Sequence, residues 1–162
     1  MKKAIIFSSI IVVLAAGCKP ELKGELGTPN NNIAALNGEW KLAKVLQTDV
    51  DAQRKGFPYS TMDLTTIFPY SDFKMTFNVA NKTFTTVPGN SPKIIRLTSG
   101  NWTADNESAP KNLTLVNGSD TARIVLGSYP NAVNPRLKLK VERKDAATGK
   151  VLITYDYEFV KQ

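Results

Sequence analysis

Few residues in this chain have the types and spacing to do chemistry. Histidine is absent and Cys18 is the single cysteine. That removes Ser-His-Asp and Cys-His nucleophilic machinery, the usual zinc sites and any intrachain disulfide. Carboxylates remain. Asp156 and Glu158 stand two apart and would share one face of a strand, where paired acids could hydrolyse a glycoside. Their strand, however, puts Val151, Ile153, Tyr155, Tyr157 and Phe159 on the opposite face, so the two acids are expected to point to solvent. Asp49 and Asp51 lack the calcium-loop spacing and read as solvated turn charges. No catalytic residue, metal ligand or cofactor is therefore expected, and the chain reads as non-enzymatic.

What remains is aromatic. Tyr155 and Tyr157 could line a cavity, with a phenolic hydroxyl orienting a polar ligand head. Trp40 and Trp102 could touch the same ligand, or simply fill the core. Phe57, Tyr59 and Phe68 lie in the one stretch without strand periodicity, Arg54 to Ser71, which could be a lid over an opening or a structural plug. These seven aromatic residues are the candidate ligand-binding set.

The chain begins MKKAIIFSSIIVVLAAGC. Lys2 and Lys3 form a positive start, Ala4 to Leu14 a short apolar run, and Ala15-Ala16-Gly17 a small-residue stretch before Cys18. That is a signal peptide with a lipobox, too short to span a bilayer comfortably. The pattern resembles bacterial lipoproteins. The resemblance implies removal of residues 1–17, a diacylglycerol on the Cys18 sulfur and acylation of its new amino group. Lipidation would hold the protein on a membrane without crossing it. Lys at position 19, rather than Asp, implies the outer membrane.

Residues 18–35 supply the lipidated cysteine and a flexible tether. Residues 19–35 contain two Pro, two Gly and three consecutive Asn with no aromatic residue, too little apolar area to offset ordering. The net charge of +7 comes from Lys and Arg scattered along the chain, so nucleic acid is not an expected partner.

From Leu36 to Gln162 the dominant period is two. Eight strands can be placed, at about 38–48, 72–78, 82–87, 94–103, 112–116, 121–126, 136–143 and 150–160. The fourth should bend at Gly100. Asn117-Gly118 is the strongest hairpin signal. Leu137, Leu139 and Val141 alternate against Lys138, Lys140 and Glu142, so one face of the strand is wet and antiparallel pairing is favoured. In the long link after the first strand, Ser60 or Thr61 could cap a short helix around Met62 to Phe68, ended by Pro69. The expected fold is all-β: an eight-stranded antiparallel up-and-down barrel, with one short helix between strands 1 and 2.

The opening Gly38-Glu39-Trp40 resembles the Gly-x-Trp signature of lipocalins, and Gly100-Asn101-Trp102 is a second copy. Lipobox, spacer, Gly-x-Trp strand, aromatic link and meander together resemble lipocalin-like lipoproteins of Bacteroidota that form a family of unknown function. The resemblance covers about Leu36 to Gln162 and implies a barrel that binds or shields a small apolar or amphipathic molecule. The alternative is a solid barrel acting as an inhibitor, or as a glycan- or protein-binding module of the envelope through loops such as Tyr129 to Pro135. Asp120-Thr121-Ala122 resembles the O-glycosylation motif of exported Bacteroidota proteins, which makes Thr121 a candidate acceptor.

Overall fold

The computed structural model describes residues 31–130 and 135–162. Cys18, the signal segment and most of the expected tether lie outside the described residues, as do the central residues of the 129–135 loop. A turn of helix, α1 (Asn32–Ala35), leads into nine strands: β1 (Gly38–Asp49), β2 (Thr61–Asp63), β3 (Lys74–Asn78), β4 (Thr83–Val87), β5 (Ser99–Ala104), β6 (Asn112–Asn117), β7 (Asp120–Ser128), β8 (Arg136–Lys144) and β9 (Val151–Lys161). All pairings are antiparallel. The sheet follows chain order from β3 to β9, and β9 returns to β1 from Trp40↔Lys161 to Asp49↔Ile153. That last ladder closes an eight-stranded barrel, which leaves no edge along the ring. β2 is an extra strand outside the ring.

β2 exists because β3 is short. β3 covers β1 only from Gly38 to Lys41, which would leave the far half of that edge without partners. Thr61–Asp63 pairs there with Leu46–Thr48, Leu64 N–H donates to Val45 O, and Thr65 Oγ1 accepts from Val45 N–H at 3.0 Å. The helix expected around Met62 to Phe68 is therefore not formed, since these backbone groups serve the barrel instead. A short helix does follow the first strand, but earlier: α2 (Val50–Arg54), capped by the Asp49 carboxylate on Asp51 and Ala52 N–H.

The alternating pattern sets the two faces. Trp40, Met75, Phe77, Trp102, Leu115 and Phe159 all point inward and are 0–1% exposed. They fill the end where β1 begins. Trp40 Nε1 donates to Leu36 O at 2.8 Å, and Trp102 Nε1 to Thr83 O at 3.0 Å, so neither buried indole leaves its donor unpaired. α1 covers this end: Ile33 is 3% exposed, and Asn32 N–H donates to Ser108 O in the β5–β6 link. The folded body thus begins a few residues before Leu36.

The fourth expected strand is shorter than the sequence suggests. Only Ser99–Ala104 runs in the ladder, and 92–98 is irregular. Ile95 and Leu97 turn into the core there, and the buried Thr86 holds the segment through Oγ1 to Leu97 O at 2.9 Å. At Gly100, where the sequence predicts a bend, the backbone takes φ +146° while staying in register opposite Phe84.

Candidate functional site

Up-and-down connectivity puts the 88–98 link, the β6–β7 turn, the β8–β9 turn and α2 at the end of the barrel opposite α1. Large side chains fill the α1 end, while at this other end, the mouth, the interior is open. Two clefts lie side by side with Ile94, Arg96 and Val141 between them, each lining both. One, of about 440 Å³, runs along β7 past Thr121, Ala122 and Ile124 to Ile95 and Leu97. The other, of about 370 Å³, has Tyr155, Tyr157, Tyr70 and Val141 as walls, with Lys93, Arg96 and Arg143 around them. Both volumes fall within the range of small-molecule sites, about 300–1,000 Å³.

The tyrosine cleft is built from register. Val141 pairs with Tyr155 and Leu139 with Tyr157, so the inward residues of β8 and β9 meet across the ladder. The Tyr155 and Tyr157 rings stack at 6.2 Å between centroids, and Tyr70 meets Tyr157 edge to face at 6.3 Å. Tyr70 is brought in by a single 3₁₀ turn, Tyr70–Asp72. Burial pushes the Tyr157 hydroxyl well above the usual phenol range and also raises Tyr70. Both therefore remain neutral hydroxyls that can donate or accept.

The candidate aromatic residues separate into three groups. Tyr155 and Tyr157 come together in the cleft. Trp40 and Trp102 lie deep in the filled half and line neither cleft. Phe57, Tyr59 and Phe68 are 58%, 95% and 45% exposed and also line neither, whereas Tyr70 of the same segment is a wall of the smaller cleft. Thr121 is exposed at the edge of the larger cleft, beside the β6–β7 turn. Asp156 and Glu158 are on the outer face: Glu158 pairs with Arg136 and Lys138, and Asp156 with Lys140. Among the described residues no group of three His, Cys, Asp or Glu could hold a metal ion.

The cations of the mouth are the residues that sequence reading missed. A signal was available for one of them. The inward series Leu137, Leu139, Val141 continues to Arg143, which pairs with Ile153 across from β9. Lys93 and Arg96 are placed by a segment that is irregular over 92–98, where a strand from 94 is expected from the sequence.

One rim contact carries a pH prediction. Asp51 of α2 binds Lys55 at 2.7 Å and Lys150 of the β8–β9 turn at 3.0 Å. These hydrogen bonds, Lys55 first, lower its carboxyl to about 2 from 3.8. A depressed folded-state value contributes stability that is present above 3.8 and lost as pH falls toward about 2. The Asp51 carboxyl carbon should accordingly titrate by NMR near 2, and Lys150→Met should move it upward. A midpoint near 3.8 in the unaltered protein would show that the rim pair does not form.

Residues 21–125 match the model of a family described as a domain of unknown function (DUF5004). The match covers β1 to β6 and most of β7, while the cation of β8 and the tyrosines of β9 lie beyond it. No curated protein matches the chain.

Proposed function

We propose that this chain, which belongs to the DUF5004 family of domains of unknown function, is a bacterial lipoprotein whose barrel binds or shields a small apolar or amphipathic molecule without catalysing a reaction. The observation that carries this reading is the pair of clefts of about 370 and 440 Å³ at the mouth of a barrel whose opposite end holds large buried side chains. Binding would come from removing ligand hydrocarbon from water at about 25 cal/mol per Å². The lipobox residues Ala15-Ala16-Gly17-Cys18 support anchoring through lipid on Cys18, and Lys19 supports the outer membrane of a Bacteroidota-type envelope. The lipid, not a spanning segment, would be its attachment. Thr121, exposed at a cleft edge, suits the proposed glycan acceptor.

Native mass spectrometry of the chain from Lys19 to Gln162, which contains every described element, tests the reading. A reproducible small molecule in whole-number stoichiometry is expected, and solvent extraction would identify it. A bare mass with no uptake from a panel of lipids and porphyrins would sink the carrier reading.

That second outcome would favour an envelope interaction module contacting a protein or glycan. The observation behind it is the exposure of Phe57, Tyr59, Met62, Ile67 and Phe68 along one connecting segment, because apolar side chains left on a surface together mark contact sites.

A further inference from the structure

On the outer face of β8 a simple rule holds: cations have acids. Arg136 and Lys138 share Glu158, Lys140 pairs with Asp156 at 3.8 Å, and Lys144 with Glu142 at 3.4 Å. On the inner face the rule stops. Arg143 follows Leu137, Leu139 and Val141 in the inward series and borders the tyrosine cleft. Lys93 and Arg96 border the same cleft from the 92–97 segment. Among the described residues none of the three has a carboxylate within salt-bridge distance, and no Asp or Glu lines this cleft.

Three cations around one concavity repel each other, and an anion is the species that relieves the repulsion. Below them the walls are apolar or phenolic. Tyr157 is 7% exposed, and neither its hydroxyl nor that of Tyr70 hydrogen-bonds another described residue. The cleft therefore combines a positive rim with phenolic walls, and its apolar part is mainly Ile94, Val141 and the tyrosine rings. The larger cleft differs in having mixed charge, with Asp120 in its lining beside Arg96 and Arg123.

We infer that the tyrosine cleft takes an amphipath with an anionic headgroup, its charge met at the rim by Lys93, Arg96 and Arg143 and its hydrocarbon laid over Tyr155, Tyr157 and Val141. The inference rests on the ligand-binding reading and adds the ligand's charge and orientation. Charge-assisted contacts at the rim set which headgroup is accepted; burial below supplies affinity common to any chain of the same length.

Isothermal titration of the purified protein with decanoate, decyl phosphate and decanol separates the two. The acids should bind about tenfold or more tighter than the alcohol, and that gap should narrow as salt is raised. Whichever acid binds tighter identifies the headgroup as carboxylate or phosphate. Arg143→Gln should remove most of the gap with decanol affinity unchanged, and Arg96→Gln should do the same in part. Lys140→Gln, on the outer face, should leave it intact. Equal affinity for acids and alcohol overturns the anionic assignment while leaving ligand binding at the mouth standing. Failure of all three probes to bind overturns both.

Discussion

Trp40→Ala is expected to lower the free energy of unfolding by about 3–5 kcal/mol, the range for deleting a large aromatic side chain from a packed core. Trp40 is fully buried and pairs across the sheet with Met75 on one side and Lys161 on the other. The loss has two parts. Removing the indole leaves a cavity beside Met75, its neighbour on β3, and it orphans the Leu36 carbonyl that Nε1 now satisfies at 2.8 Å. Lys161, whose Nζ sits 5.6 Å from the ring centre, would lose its cation–π partner as well. Trp40→Phe should recover much of the volume but not the hydrogen bond, leaving a deficit of about 1–3 kcal/mol. Urea unfolding followed by fluorescence of the remaining Trp102 measures both variants. A loss below about 1 kcal/mol for Trp40→Ala would contradict a core role, since a side chain that serves only a ligand can be removed with little effect on the unliganded fold.

Gly100→Ala is expected to destabilise by about 3 kcal/mol or more, although it adds only one methyl group. Two constraints meet at this residue. Its φ of +146° is one that L side chains rarely adopt, and a Cβ there would lie 2.1 Å from Val116 O and 3.2 Å from Phe84 Cε1. The obstructing atom is backbone of β6, so relief requires moving a strand of the ring rather than rotating a side chain. Gly118→Ala is the matched control. Gly118 also has a positive φ, +59°, but a Cβ would meet nothing within 4 Å, so only the backbone cost of about 1–2 kcal/mol applies. Thermal unfolding of the pair checks the argument. If Gly100→Ala melts no lower than Gly118→Ala, the close approach of β6 to Gly100 is not a constraint on the fold.

The turn at Asn117-Gly118 was legible because it is a local matter of glycine and positive φ, whereas Gly100 stood out in the sequence but its reason, the β6 backbone close by, lies in another strand. The tyrosine pair was half legible. Alternation put Tyr155 and Tyr157 on one face of the last strand, but that they border a cleft while Trp40 and Trp102 do not depends on their level along the barrel. Level follows from register, and a single strand carries no record of it. The aromatic link was misread for a related reason. Thr61–Asp63 could have been helical by local preference, and became a strand because β3 leaves half of the β1 edge uncovered. That vacancy is a property of two other segments.

The sequence alone determined the class of the fold: eight segments of period two with one wet face each, short turns between them, and no histidine or second cysteine to support catalysis or cross-linking. Those are properties of composition and of neighbours in the chain. Only the tertiary structure decided how the barrel is filled, because closure through the β1–β9 ladder sets which inward side chains share a level. At one level Trp40, Phe77, Trp102 and Phe159 are buried together with Met75 and Leu115. At the next the 92–97 segment enters, clefts remain beside the tyrosines, and Lys93 and Arg96 of that segment face the same cleft as Arg143, far along the chain on β8.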